Sequence, residues 1–538
     1  MTSEIKSPGL SSLAHDYYYN YEKVSQFYNG NFRNLSDFHK QAEKVRVLTF
    51  QRKKLAAILE EQNRNYGCGS ETLGNINNLR QNQTCAVVTG QQVGLFSGPL
   101  YTIYKSLTAI KLTEYLNQND QGSFVPIFWL AADDHDFAEI NHINLLNKNN
   151  QTEKIQCDSF SLSTKQPASK ILLTQEINKC VQQLKNLSHD SEFKDEIISH
   201  LSKAYEPDLS YVEAFGKWMT RLFKSYGLIF IDATHPGFKE LGKSVFLKEI
   251  AENSPSTICA FETSKKLKQA KYKCQIQLRE GILNLFFADS ERQSIGTKKD
   301  GYIIKETQQT YGRDELFALM GKKSYLCSPN VLLRPIYQDT ILPTVAYIGG
   351  SSEVAYFAQM KGIYDRFCIP MPIIYPRKSL TIIENKIKNV LQKHNLKVLD
   401  FWHNFDQTIQ TIIKKHIPQS IDKVFSKAAS HLSKDFQSIK KEIVSLEPGL
   451  EYSADFTLEK INQQFKYLEK KILQASKKQN EILIQQLYKV KNNLYPANHL
   501  QERVLNIVPY LIKYGYPFID KLYKTMDINC YDHQIIEL

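Results

Sequence analysis

The sequence predicts an α/β protein in which a parallel-sheet core carries inserted regions and is followed by a long antiparallel α-helical arm. Three observations point there. Apolar runs of strand length recur at residues 84–89, 124–130 and 227–232, with helix-forming sequence between them, the rhythm of parallel strands joined by right-handed crossovers. Two further runs, at 342–348 and 372–376, resume that rhythm after less regular stretches. Beyond about residue 400 the apolar residues step by three or four, as a helix seam requires.

Taken in order, residues 1–80 are polar and rich in helix formers, and read as a helical lead-in. The core spans 81–385. A helix at about 99–116 follows the first strand, and insertions lie near 150–220 and 255–325, the second carrying an apolar run at 281–287 suited to a small accessory sheet. The arm covers 386–500. Its first seam runs through Ile421, Phe425, Ala428, Leu432, Phe436, Ile439, Ile443 and Leu446. Glu447, Pro448, Gly449 and Leu450 then break it, and a second seam passes through Leu458, Ile461, Phe465, Leu468 and Ile472. Residues 501–538 are expected to pack back on the core.

The formal net charge of +12 is spread along the chain among interspersed acids, which describes a solvated surface; no nucleic-acid motif accompanies it. Nine cysteines, odd in number and scattered, never form CxxC or a Cys/His ligand cluster. They read as reduced thiols, with neither a metal site nor a disulfide needed for folding. No charged start precedes an apolar run, and no stretch of about eighteen apolar residues occurs, so a soluble cytoplasmic chain without membrane attachment is expected.

Four segments could carry chemistry. In TGQQVGLFSGPLYTIYK (89–105), Gly90, Gly94 and Gly98 are four apart between a buried strand and a helix, where an α/β sheet receives a phosphate. Gln91, Gln92, Tyr101, Tyr104 and Lys105 join them as candidate substrate or phosphate ligands; a tight turn needing glycines for shape is the alternative. FWLAADDHDFAEINH (128–142) places carboxylates and imidazoles at the carboxyl end of the next strand, and Asp134, His135, Asp136 and His142 become candidate acid, base or charge-stabilising groups. A helix cap made by Asp133 or Asp134 is the bland reading. In RPIYQDTILPTVAYIGGSSEVAYFAQMK (334–361), Gly349 and Gly350 end a strand before a helix, with Tyr347, Glu353 and Tyr356 close by. Arg377 and Ser379, in YPRKS (375–379), could hold a phosphate or carboxylate, or form a surface turn. Residues 237–244 fit the phosphate-loop expression GxxxxGKS, but Phe238, Leu241, Val245 and Ile250 fall on a helical stripe after Pro236, which predicts a helix there.

Together with LQERVLNIVPYLIKYG (500–515), these segments resemble the bacillithiol-synthesis cysteine ligase family, BshC, over about residues 85–530. The resemblance implies addition of L-cysteine to the free amine of glucosaminyl-malate, the last step of bacillithiol biosynthesis. It also implies a Rossmann-like core similar to class I nucleotidyltransferases, with connective insertions and a coiled-coil arm that makes a homodimer. By position, 90–105 would stand where nucleotidyltransferases keep HxGH, without that histidine pair, and 377–379 is a loose counterpart of KMSKS. ATP with Mg is the implied activating cosubstrate, by way of an acyl adenylate or an acyl phosphate. The alternatives are another ATP-using enzyme of that class activating a small carboxylic acid, and a non-catalytic coiled-coil scaffold.

Overall fold

The computed structural model describes residues 2–133, 137–158, 166–289, 291–402, 405–416 and 419–538. The chain divides into two compact units, Met1–Lys148 with Thr152–Ile382 and Gln501–Glu537, and Asn149–Gln151 with Ile383–Leu500 and Leu538.

At the centre of the first unit is a five-stranded sheet in the order Ile373–Pro376, Thr344–Gly349, Thr84–Gln92, Ser123–Ala131 and Ile229–Asp232, with every pairing parallel. Its strands are buried almost without interruption, which is why they read as continuous apolar runs and not as alternating ones. The chain enters this sheet at its middle strand, lays the next two strands to one side, then returns to lay the last two on the other. A switch point is thereby created between the carboxyl ends of Thr84–Gln92 and Thr344–Gly349, the place where open parallel sheets leave a crevice for ligands.

The lead-in helices cover an edge of the sheet. From the Arg52–Asn65 helix, the Asn63 amide donates to Phe230 O (2.8 Å) and accepts from Phe230 N (2.9 Å), and Gln62 does the same for Asp232 at 3.0 and 3.2 Å. Side-chain amides stand in for a neighbouring strand and satisfy an edge that would otherwise invite another chain. The lead-in is not purely helical: Thr2–Ile5 pairs antiparallel with His533–Glu537, which also neighbours Leu380–Ile383. Four residues paired with the far end of the chain leave no local pattern to read.

The run at 281–287 is the Ile282–Ala288 strand of a second sheet, ordered Thr310–Gly312, Gly301–Ile304, Arg292–Lys298, Ile282–Ala288, Cys327–Pro329. The phosphate-loop look-alike is helical on both sides of Gly242, as Pro236–Leu241 and Lys243–Ala251. Gly242 is there for packing, since a Cβ on it would lie 2.3 Å from the Tyr337 ring.

In the second unit the two long helices are Gln419–Leu446 and Glu451–Gln479, joined by a turn at Pro448–Leu450. They run antiparallel: the Phe425 and Phe465 rings meet edge to face at 6.1 Å, while Lys440 pairs with Asp455 (2.7 Å) and Glu451 (3.1 Å) near the turn. Two helices cannot enclose the whole seam, so Ile439, Leu446 and Leu468 stay half-exposed or more, as do Val424 and Tyr467 beside it. Among the described residues no helix is long and apolar enough to cross a membrane.

Candidate functional site

A cleft of about 300 Å³ opens at the switch point, lined by Gly90, Gln91 and Gln92 from one strand end, Ser351, Ser352 and Glu353 beyond the other, and Trp129 and Ala131 from the neighbouring strand. The parallel register places Gly90 opposite Trp129, and a Cβ at Gly90 would meet Trp129 Cβ and O at 3.0 Å, so glycine is what lets these two strands close beneath the cleft. Tyr101 and Lys105 reach in from the Leu100–Asn119 helix, one turn apart; Arg334 and Gln338 do so from Arg334–Ile341, again one turn apart. Tyr347, Gly350, Tyr356, Arg377 and Arg503 complete the lining.

An ion pair forms its floor, its lysine buried and its carboxylate 19% exposed. Lys105, with only 3% of its side chain exposed, places Nζ 2.5 Å from Glu353 Oε2 and donates to Gly90 O (2.7 Å) and Gln91 Oε1 (3.0 Å). Glu353 is the third residue of the Ser351–Phe357 helix and reaches back to accept the Gly350 N–H at 2.8 Å, while the Tyr347 hydroxyl donates to its other oxygen at 2.8 Å. Burial alone would raise the Glu353 carboxyl; the Lys105 ammonium, the Gly350 N–H and the Tyr347 hydroxyl outweigh that and hold it below the usual carboxylate range. Glu353 is therefore an anion at neutral pH and a poor proton acceptor. Its part is to keep Lys105 charged and fixed.

A second pair lies alongside. Arg377 binds Glu502 bidentately at 2.7 and 2.9 Å, both side chains being nearly inaccessible, and Glu502 also accepts the Leu380 N–H at 3.0 Å. The Arg377 guanidinium lies over the Tyr101 ring, 5.9 Å from its centroid. Of the four cations lining the cleft, Lys105 and Arg377 are thus already matched to carboxylates. Arg334 and Arg503 form no ion pair among the described residues, and so the described lining carries more positive than negative charge.

The expected phosphate cradle is closed. Gly94 N, Gly98 N, Leu100 N and Thr102 N donate to Gln92 O, Leu95 O, Leu505 O and Pro99 O respectively. Asn506 Nδ2 covers the turn from outside, donating to Phe96 O (2.9 Å) and Gly98 O (2.6 Å). Residues 93–98 are buried, and Gly98 has φ 66°. Gly94 and Gly98 therefore shape a tight turn, and the start of the Leu100–Asn119 helix is occupied by the chain's own carbonyls. Tyr104, one position before Lys105 on the helix, is buried in the core and does not line the cleft.

Of the other candidates, Gly349 ends its strand just behind the cleft, its carbonyl accepting the Arg377 N–H at 2.8 Å. Ser379 is tied to His533 Nδ1 at 2.7 Å, on the far side of the ring from Thr381, and burial lowers that imidazole to about 4. The serine is thus part of a buried polar cluster and does not line the cleft. His142 begins the His142–Leu146 strand, also off the cleft lining; burial, with Lys154 nearby, lowers its basicity. Asp134, His135 and Asp136 lie outside the described residues. Just before them, Asp133 is held by Lys239 at 3.1 Å to both carboxylate oxygens.

Sequence reasoning did not single out Trp129, Ala131, Arg334, Gln338, Ser351, Ser352 or Arg503. Arg334 and Gln338 share an i,i+4 face before a core strand, and the two serines directly follow paired glycines, which are readable signals. Arg503 follows the arm and has none.

Comparison with known proteins agrees with this architecture. Residues 1–378 match the family described as bacillithiol biosynthesis BshC, N-terminal Rossmann-like domain, and residues 380–538 match its C-terminal coiled-coil domain. The chain is 34% identical to a protein of Chloroherpeton thalassium over 95% of its own length and 93% of that protein's, and 31% identical to one of Salinibacter ruber over 97% and 95%. A Prosthecochloris aestuarii protein is 32% identical over 96% and 95%. All three are named, provisionally, as the cysteine ligase BshC.

Proposed function

The chain belongs to the bacillithiol biosynthesis BshC family, and from that premise we propose that it is a cysteine ligase joining the carboxyl group of L-cysteine to the amine of glucosaminyl-malate. The observation that carries this reading is the cleft at the switch point, in which Arg334 and Arg503 form no ion pair among the described residues. Guanidinium forks suit carboxylates and phosphates alike, and Ser351 and Ser352 add hydroxyl donors beside them.

Amide formation makes a C–N bond, breaks a carboxyl C–O bond and releases a proton from the amine. The C–O bond breaks only when its oxygen has become a leaving group, a change that ATP with Mg would supply. The phosphates would meet Arg334 and Arg503, because the Gly94–Gly98 turn has no room for them. The Lys105–Glu353 pair would fix positive charge beneath the reacting carboxyl, where negative charge gathers on oxygen as the amine attacks. We assign removal of the amine proton to His135, which stands between Asp134 and Asp136 in the sequence that follows the strand supplying Trp129 and Ala131.

The test is the condensation itself, run with the purified full chain, L-cysteine, glucosaminyl-malate and Mg-ATP, and again without ATP. Product only with ATP is expected, and none from His135→Ala. Product without ATP would remove the activation step from this reading, and unchanged turnover in the variant would remove His135 from it.

The uncovered apolar side chains of the arm support homodimerisation through the second unit. Deleting residues 420–495 is expected to give a monomer in sedimentation equilibrium. A dimer of the shortened chain would place the interface elsewhere.

A further inference from the structure

Gln338 is 3% exposed yet lines the cleft, and its neighbour Asp339, 4% exposed, is turned away into the core. The Asp339 carboxylate is held by its neighbours: the Tyr364 hydroxyl donates to Oδ2 at 2.6 Å, and Gln338 Nε2 donates to Oδ1 at 2.9 Å. Tyr364 is itself fully buried, on the Lys361–Phe367 helix. An ionised carboxylate can only accept hydrogen bonds, so it dictates which way round the Gln338 amide sits: nitrogen toward Asp339, oxygen away from it. Among the described residues no donor reaches that oxygen. Burial pushes the Asp339 carboxyl up to about 6, with the bonds from Tyr364, Gln338 and Thr344 opposing the rise, and the group is therefore ionised at pH 7.5.

We propose that Gln338 is a specificity-determining acceptor for a ligand amine in this cleft, and that Asp339 is the positioning residue that keeps its amide oxygen turned toward that amine. This rests on the ligase reading for the identity of the amines, which are those of L-cysteine and glucosaminyl-malate. The division of labour follows from the chemistry of the lining. Arg334, one helical turn before Gln338, offers only donors and so takes the anionic part of a ligand, whereas Gln338 offers an acceptor and takes the part that carries N–H. Glu353 is the more engaged acceptor, its oxygens already receiving Lys105, Gly350 and Tyr347, whereas the Gln338 oxygen receives no donor among the described residues.

Isothermal titration at pH 7.5 of the full chain with L-cysteine alone, and with glucosaminyl-malate alone, tests this without requiring turnover. Gln338→Met, which keeps the volume and loses the acceptor, is expected to weaken one of the two ligands by about tenfold or more and leave the other within about twofold. Asp339→Asn can donate as well as accept and so releases the amide; it is expected to weaken the same ligand, by less. A purely structural role for Asp339 would lower thermal stability without this ligand-selective change, and that outcome would overturn the positioning role. Equal affinities in Gln338→Met and the parent chain, or no binding of either ligand to the parent, would overturn the acceptor assignment. Selective binding loss in a chain that makes no product would uphold the assignment while rejecting the ligase reading.

Discussion

Glu353→Ala is expected to destabilise the chain by about 3–5 kcal/mol, the range for a buried ion pair that loses one partner. The cause is what it leaves behind: the Lys105 ammonium, 3% exposed, would have only the Gly90 carbonyl and the Gln91 amide oxygen to face it, and must either stay charged without a counter-ion or give up its proton. Gly350 N and the Tyr347 hydroxyl would also lose their acceptor. Paired replacement of Lys105→Met with Glu353→Ala should recover most of the loss, because the unmatched charge is gone. Urea unfolding of the parent and the two variants measures this, and a cost below about 1 kcal/mol for Glu353→Ala would mean that water reaches Lys105 freely.

Glu502→Ala is expected to cost as much or more, again about 3–5 kcal/mol by the same principle. Arg377 would lose both bonds of its bidentate partner, and the Leu380 N–H would be left without an acceptor in a buried place. This pair also joins the segment that follows the arm to the strand end at Pro376, so its loss should loosen the side of the cleft that Arg503 lines. Glu502→Gln, which retains acceptor oxygen but no charge, is expected to fall between the alanine variant and the parent in urea unfolding. Identical stabilities for Gln and Ala would show that charge matching to Arg377 accounts for the whole effect and hydrogen bonding for none.

The core strands were legible because a parallel sheet buried on both faces demands continuous apolar runs, and 84–89, 124–130 and 342–348 are such runs. The helical reading of 237–250 held because a stripe of Phe238, Val245 and Ile250 says more about burial than a spacing of glycine and lysine says about phosphate. Strand order was not legible. Periodicity tells that a strand exists and not which strand lies beside it, and the switch point depends on Thr89 meeting Ile348.

The same limit explains the candidate site. Gln91, Glu353 and Tyr347 were found because they sit within a few residues of strand ends, where ligands bind, and Lys105 because it lies on the helix that follows the first of those strands. Gly94 and Gly98 were misread because glycine spacing reports a turn but not what covers it; here the cover is Asn506, from the other end of the chain. Ser379 looked like an anion ligand beside Arg377, but its hydroxyl is turned to His533, a contact no local pattern encodes. Arg503 could be recognised only from the fold.

The measurement that bears most directly on the switch-point cleft as the ligation site is mass spectrometry of the condensation product from the parent chain and from Glu353→Gln, run side by side with Mg-ATP. Glutamine keeps one acceptor oxygen, for Tyr347 or for Gly350, and removes the charge that holds Lys105. The parent is predicted to form a product of the summed mass of L-cysteine and glucosaminyl-malate less one water. The variant is predicted to form it roughly a hundredfold more slowly, the usual scale for losing one preorganised electrostatic group. Equal rates from the two proteins, with both folded, would contradict the assignment of the reaction to this cleft.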